Sequence, residues 1–560
     1  MDEKYIWVVG TAVQDITLDL IDHERLMLEH DNLRKMIRLD EKPRIASGLW
    51  LKTQYGLDRF AVKMVLEEKK KEEKPDEEGF YSLSPGSKYS LADKVYASWD
   101  EAERDKHANK LFVPCESMSW GGGGLNCTKF LRSLVPNHDI VPIRYSDIAM
   151  SRTLRASVGR LQGILKDNLS RRRNEDFAVG QLHERVAALM QDSPDKAEVL
   201  TSEIANMLAE YSPVCSLEAY LASLPVEFLL YRPESPRFRR NLVFSRFRSV
   251  SRQIDNKIIC RGRHDSLPAK ASEHIRELLA AKMSQAGAIL LNSVQDLPLF
   301  QTCYSIYKEA DRKGNNIMGV FGITTSMEAS LEWMMGDKGS GKFPPFILVF
   351  NENEALGFAR KLKPSLEPFL EDPDDLPNIQ RFSRIAQTIR THFEAQPPPR
   401  LYVTIGSRGS LGVDRSGHVV YVYRYNKPGA VIYDTNMCGD AYCAAITLLE
   451  WAKRHKHLNI SGVDLNEPEG SQKEMEYFMA FATAVSYAKA TSRRGRVDVT
   501  EVKDLFEHLH LATRRLAAVA EIAGWGAGKQ PEWVTKGGRL QVPSEARAFR
   551  PTEDLRKLLG

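Results

Sequence analysis

Apolar residues along this chain fall into short, nearly continuous runs separated by longer stretches of helical spacing. YIWVVG at 5–10, AILLN at 288–292, FILVFN at 346–351 and LYVTIG at 401–406 are rich in Val, Ile and Leu. Runs of this length without a polar face predict strands buried on both sides. Their alternation with helical segments predicts βα units around a largely parallel sheet. Several runs end on a small or polar residue. Ligands of such sheets bind beyond the carboxyl ends of the strands, so the chemistry is expected just after each run.

Three regions depart from this pattern. The tract EEKKKEEKPDEEG at 67–79 reads as a solvated helix end and loop. Residues 152–225 show helical spacing, as in QLHERVAALM and AEVLTSEIANMLAEY, with no strand candidate. From about 505 the chain reads as a helix and an irregular tail. That tail holds GWGAGKQ at 524–530, which lacks the glycine at 523 and the Ser or Thr at 530 of a phosphate-binding Walker loop and reads as a turn.

Composition narrows the class. With 560 residues, 42% of them hydrophobic, the chain can bury several domain-sized units or one large domain with insertions. A net charge of +4, from 78 basic and 74 acidic residues, offers no bulk attraction for nucleic acid or an anionic membrane. The seven cysteines are odd in number and lack CxxC spacing, so they read as free thiols of a reducing compartment. The acidic start MDEKYIWVVG is unlike a secretory signal, and no apolar run reaches spanning length. A cytoplasmic protein is expected.

Five segments suggest chemistry. YDTNMCGDAY at 433–442 starts a helix whose first-turn amides form an anion site, with Asp440 facing the same space. SWGGGGLNCTKFLRSL at 119–134 has four successive glycines before Asn126 and an amphipathic helix. VVGTAVQD ends the first run at Gly10 and places Asp15 five residues on, where a carboxylate can accept from hydroxyls. FNENE offers Asn351 and Glu354 as oxygen ligands for Mg²⁺ through water, or as a helix cap. TIGSRGSLG at 404–412 reads as a glycine-punctuated hairpin. Each has an ordinary structural explanation when taken singly; their order and spacing carry more.

Together the segments resemble the PfkB family of carbohydrate and nucleoside kinases, the ribokinase-like group. The matches are Gly121, Gly122, Gly124 and Asn126; Asn351 and Glu354; Thr404, Gly406 and Gly409; and Asp434, Thr435, Asn436, Met437, Cys438, Gly439 and Asp440 for the late D-T-x-G-A-G-D signature. They span the parts near 1–30, 111–150 and 235–500.

The resemblance implies an α/β, ribokinase-like three-layer sandwich with a central, mostly parallel sheet and a small β lid, plus a helical insertion. On that view 1–150 is the N-terminal part of the kinase domain with the lid within 31–118, 151–230 the insertion, 231–504 the remainder of the domain, and 505–560 a C-terminal helical extension. It implies transfer of the ATP γ-phosphate to an alcohol, with Asp440 as base and the amides of Met437, Cys438, Gly439 and Asp440 as anion hole. Asp15, Gly121, Gly122 and Asn126 would contact substrate hydroxyls. Thr404, Gly406, Gly409, Asp434 and Thr435 would contact nucleotide, and Asn351 with Glu354 would serve Mg²⁺. The resemblance leaves room for a monovalent cation and for a homodimer; no membrane partner is expected, and nucleic acid is not the expected partner.

The acceptor is less defined. DTN at 434–436 is similar to adenosine kinases and points to a nucleoside. Residues 232–263 hold nine arginines and Lys257 against Glu234 and Asp255. In FSRFRSVSR, Arg246 and Arg248 alternate onto one face of an expected strand, as a phosphate clamp, a solvated face, or a surface for RNA or a partner protein, which keeps a nucleic-acid-associated protein as a third reading. Met437 stands where the family signature has glycine, so a kinase-like sensor or partner subunit without turnover is the second reading.

Overall fold

The computed structural model describes residues 4–19, 37–38, 44–46, 49–53, 62–66, 80–82, 88–95, 109–113, 117–136, 141–147, 152–154, 224, 226–230, 240–245, 258–261, 286–294, 297–315, 317–323, 327, 330, 333, 346–369, 376–393, 399–423, 432, 435, 437–455, 457–458, 468–492, 497, 500–503, 510–511, 513–523, 547–548 and 552–559. Among them, eleven strands form the main sheet: β1 (Tyr5–Gly10), β2 (Ile143–Asp147), β3 (Arg152–Leu154), β4 (Glu227–Leu230), β5 (Ala286–Asn292), β6 (Met318–Gly322), β7 (Phe346–Asn351), β8 (Arg400–Thr404), β9 (Gly409–Val413), β10 (His418–Tyr423) and β11 (Thr513–Ala518). Their spatial order is β3-β4-β2-β1-β5-β6-β7-β8-β9-β10-β11. The seven strands from β4 to β8 run parallel, so their carboxyl ends share one edge. Strands β3, β9, β10 and β11 are antiparallel to their neighbours.

The apolar runs form these strands because both faces of the sheet are covered. In β1, Ile6 and Val8 enter one core while Tyr5, Trp7 and Val9 enter the other. The first core is closed by α1 (Gly123–Leu134), α5 (Cys438–Arg454), α6 (Pro468–Thr491) and the late helix α7 (Glu553–Leu559). The second is closed by α2 (Leu297–Arg312), α3 (Glu352–Leu362) and α4 (Leu376–His392). The result is the expected three-layer α/β/α sandwich. No helix among the described residues is long and apolar enough to cross a membrane.

A buried ionic cluster ties the layers at the amino end of β8. Arg400 pairs with Glu450 of α5 at 2.6 Å and with Glu474 of α6 at 2.8 Å, and Lys453 reaches Glu474 at 2.5 Å. Burial by itself would lower the Arg400 pKa, but the two carboxylates outweigh it and hold the guanidinium charged.

A second sheet has eight strands in the order 117–121, 13–19, 240–245, 258–261, 88–95, 62–66, 49–53, 109–113. The segment 31–118, in which the lid is expected, supplies the strands 49–53, 62–66, 88–95 and 109–113 of this sheet, and the other four are 13–19, 117–121, 240–245 and 258–261. Two differences concern the ends of segments read as helical. The insertion at 151–230 begins and ends in β3 and β4, and the extension at 505–560 contributes β11. The three- and four-residue strands β3 and β4 are too short to show a period of two against a helical background. The tracts at 67–79 and 524–530, Arg246, Arg248, Asp434 and Asn436 lie outside the described residues.

The connections create a crevice. The chain leaves β1 through the second sheet and returns in α1 on one face, whereas β5 leads into α2 on the other. Beside β1 and β5 the winding therefore reverses, and it is beyond the carboxyl ends of strands at such a reversal that ligands of open α/β sheets bind.

Candidate active site

The crevice floor is backbone packed on backbone. A Cβ on Gly10 would lie 2.6 Å from the Gly124 Cα, and one on Gly124 would lie 2.5 Å from the Gly10 Cα. Gly122 has φ 98° and comes against the Thr11 carbonyl, where a Cβ would lie 2.1 Å from the oxygen. The glycine tract thus lets the start of α1 seat directly on the end of β1. Tyr145 fixes the same end by donating to the Gly10 carbonyl at 2.9 Å.

This seating places Asn126 opposite Asp440. Asn126 Nδ2 donates to Asp440 Oδ2 at 2.9 Å, and Asn292 Nδ2 donates to Asp440 Oδ1 at 3.0 Å. Both carboxylate oxygens are therefore held by neutral amides supplied from α1 and from the end of β5. Asn292 also donates to the Gly123 carbonyl at 3.2 Å and to Cys127 Sγ at 2.8 Å. Asn126 is only 4% exposed, and no donor among the described residues reaches its Oδ1. A buried amide oxygen without a donor is costly, so this atom is a place for a ligand N–H or O–H.

Cys127 completes the wall, its thiol donating to the Asp440 backbone carbonyl at 3.4 Å. Burial, and then the neighbouring Cys443, push its pKa well up. The thiol stays neutral, so it adds no second negative charge beside the Asp440 carboxylate.

The helix start that presents Asp440 is unusual. Met437 is the N-cap of α5, at φ 64° and ψ 3°, the left-handed region that glycine favours. Its side chain packs against the core under α1 and α5. The Cys438 N–H is directed to the Thr435 carbonyl at 3.3 Å, and the first intrahelical bond is Ala441 N–H to the Met437 carbonyl at 2.9 Å. Cys438 is fastened to α6, where Ser486 Oγ donates to its carbonyl at 2.9 Å. Gly439 is exposed, and a Cβ there would meet no atom of the described residues within 4 Å. Its lack of a side chain is not required by packing against those residues.

The other expected motifs lie on the same sheet edge, farther along. From β5 to β7 is two strand spacings and to β8 three, about 10 and 14 Å. Asn351 and Glu354 form a reciprocal cap on α3: Glu354 N–H donates to Asn351 Oδ1 at 2.9 Å, and Asn351 N–H donates to Glu354 Oε2 at 3.0 Å. With Asn351 Oδ1 engaged in this way, the pair fits a hydrated Mg²⁺ better than direct ligation by both side chains.

Thr404 ends β8 and donates through Oγ1 to the Phe350 carbonyl at 3.4 Å. A 3₁₀ turn, Gly406–Arg408, then leads into β9, so the segment is the expected hairpin. Gly406 is exposed, at φ 58°, and a Cβ there would meet none of the described residues within 4 Å. Arg408 from this turn forms an ion pair with Glu352 of α3, joining the two motifs.

The structure brings together Asp440, Asn126, Gly122 and the end of β1, and sets Gly121 in register with Val13. Asp15 lies in the second sheet, in register with Ser119 on one side and Asn241 on the other. Thr435 is exposed beside the Met437 turn. Sequence reading missed Asn292, Glu352 and Arg408 as site residues. The signal for Asn292 was present, since AILLN is an apolar run ending on an amide.

No protein-family model matches the chain, and no curated protein matches it. Among solved structures it is similar to ribokinase from Giardia lamblia, at 12% identity and TM-score 0.44, over 91% of this chain and 99% of that one. It is similar to a phosphofructokinase-2 variant from Escherichia coli at 11% identity and TM-score 0.41, over 91% and 99% of the two chains. It is also similar to adenosine kinase from Sinorhizobium meliloti at 12% identity and TM-score 0.40, over 90% and 99%.

Proposed function

We propose that this chain is a PfkB-type small-molecule kinase that transfers the γ-phosphate of ATP to a hydroxyl of a nucleoside, a sugar or a sugar phosphate. The observation that carries this reading is the Asp440 carboxylate, held by two amides at the start of a long helix, beside an Asn126 Oδ1 that no donor among the described residues reaches. One acceptor hydroxyl gives its proton to Asp440, and a neighbouring hydroxyl donates to Asn126 Oδ1. As the acceptor oxygen bonds to the γ-phosphorus, the bond from that phosphorus to the β-phosphate bridging oxygen breaks and ADP leaves.

The first-turn amides of α5 at Gly439 and Asp440 face the phosphoryl oxygens, while the Cys438 amide is engaged with Thr435. Asp15, Gly121 and Gly122 complete the acceptor side. Thr404, Gly406, Gly409, Asp434 and Thr435 take the nucleotide, whose triphosphate lies across the strand ends from β8 towards β5. Glu354, with Asn351, would hold Mg²⁺ through water, and the ion would supply charge neutralisation for the phosphates.

Met437 supports a second reading, nucleotide or nucleoside binding without turnover, because its side chain occupies a glycine conformation at the helix start. The test is a panel of nucleosides, pentoses, hexoses and their monophosphates with Mg²⁺ and ATP, run on the wild type and Asp440→Asn. Turnover in the wild type that is lost in the variant is the expected result. Ligand-induced thermal stabilisation with no turnover in the wild type would overturn the kinase and leave the sensor.

A further inference from the structure

Among the described residues, two that are not glycine have a positive φ: Met437, and Ser293 at 55°. They stand on either side of one contact. Met437 is three residues before the Asp440 carboxylate, and Ser293 directly follows the Asn292 amide that donates to it. Serine seldom enters the left-handed region, so its presence there calls for a cause.

Three elements hold this conformation. Thr11, just past β1, donates through Oγ1 to the Ser293 carbonyl at 2.7 Å, and the Ser293 N–H donates to the Gly322 carbonyl at the end of β6 at 3.4 Å. At the start of α1, Gly123 leaves room for the hydroxyl, since a Cβ there would lie 2.2 Å from Ser293 Oγ. An unfavourable conformation persists where its surroundings fix it, and such residues cluster where the placement of one group matters to function.

The group placed here is the hydroxyl. Ser293 Oγ donates to Asn292 Oδ1 at 3.2 Å. Asn292 is only 2% exposed, and its Nδ2 serves Asp440 Oδ1, the Gly123 carbonyl and Cys127 Sγ. An ionised carboxylate and a carbonyl can only accept, so Nδ2 faces them and Oδ1 faces away. Ser293 is the donor this oxygen has among the described residues. Without it a buried amide oxygen goes unpaired, and the side chain is drawn to turn towards another donor and leave Asp440.

We propose that Ser293 is a positioning residue of this site, whose hydroxyl holds the Asn292 amide in the orientation that donates to Asp440. This rests on the kinase reading above, through the role of Asp440 as base. Ser293 acts through Asn292, so its effect belongs to kcat and not to the binding of ATP.

The test compares the full chain with Ser293→Ala, Ser293→Gly, Asn292→Ala and the double variant Ser293→Gly with Asn292→Ala. The substrates are Mg²⁺-ATP and the acceptors of the panel above, adenosine, ribose and glucose 6-phosphate among them. Both single changes at Ser293 should lower kcat about 5- to 10-fold, the worth of one hydrogen bond, with the KM for ATP within about twofold. Ser293→Gly should unfold at a higher temperature than Ser293→Ala, because glycine is at ease at this φ. Equal loss of kcat at unequal stability separates the hydroxyl from the backbone. Once Asn292 is alanine, Ser293→Gly should change kcat by less than about twofold. Wild-type kcat in Ser293→Gly, or the same fall with and without the Asn292 side chain, overturns the proposal. If the wild type turns over no acceptor of the panel, the kinase reading fails, and the positioning is decided by hydrogen exchange of the Asn292 side-chain amide. That signal is read in protein labelled with ¹⁵N-asparagine and assigned by its absence from Asn292→Ala. Faster exchange in Ser293→Gly than in the wild type, by about tenfold, upholds the positioning; equal or slower exchange removes it.

Discussion

Asn292, the last residue of β5, donates at 3.0 Å to Asp440 Oδ1 in the first turn of α5, joining positions 148 residues apart. Together with Asn126 on the other oxygen, it fixes the carboxylate plane without bringing a second charge to it.

Replacing Asn292 by aspartate keeps the size and reverses the donor. The second carboxylate beside Asp440 should lower kcat by about 10- to 100-fold, the worth of one charge-assisted hydrogen bond, with a smaller effect on the KM for ATP. Asn292→Ala should fall in the same range while costing about 1–3 kcal/mol of stability, because Asn292 also holds Gly123 and Cys127. Steady-state kinetics and chemical denaturation read the two effects separately. Equal kcat in wild type and Asn292→Asp would show that Asp440 needs no amide from β5.

Gly439→Ala separates fold from ligand. The position is helical, and a Cβ there meets none of the described residues, so alanine should leave stability unchanged or raise it by about 0.5–1 kcal/mol. The added methyl group stands where a phosphoryl oxygen would approach the first-turn amides. Turnover should fall about tenfold or more, with donor loss at an oxyanion site as the scale. A fully active variant would place the phosphate elsewhere.

Met437→Gly relieves a left-handed non-glycine residue, about 1–2 kcal/mol, and gives up the packing of a half-buried side chain of similar worth. The net change in stability should be within about 1 kcal/mol, and turnover should rise as the helix start opens. A fall in kcat would mean that the methionine belongs to the working site.

The buried ionic cluster predicts a pH dependence remote from the crevice. Burial by itself would raise the Glu474 pKa, but Arg400 and Lys453 outweigh it and hold this carboxyl below its usual range. The stability it contributes is therefore complete above the unfolded value of about 4.3 and is lost as pH falls further. Glu474→Gln should cost about 3 kcal/mol at neutral pH, because it leaves a buried cation short of a partner. The gap between wild type and variant should close below about pH 4, read by urea denaturation at a series of pH values. A gap that stays constant would take Glu474 out of the acid response.

Much of the sandwich is legible in local pattern. YIWVVG, AILLN, FILVFN and LYVTIG each become a parallel strand because each is long enough to be buried on both faces. Asp440 in a first helical turn and Asn126 in the helix after the glycine tract also follow from local signals. Pairing at a distance has no such signal. Nothing near AILLN says that its last amide meets Asp440, and nothing near 240–261 says that two strands join those at 13–19 and 88–95. The ion pair between Glu352 and Arg408 likewise exists only because β7 and β8 are neighbours.

The contact between Gly10 and Gly124 has a consequence for how mutations here will be interpreted. A methyl group at either position would lift α1 from the end of β1 and carry Asn126, two residues along, away from Asp440. In a screen for loss of activity, both glycines would therefore score like residues that touch the substrate, although what crowds them is backbone, each other's and, at Gly10, that of Asn292. Compensation would then come from repacking this one backbone crossing, and not from any change in the substrate supplied.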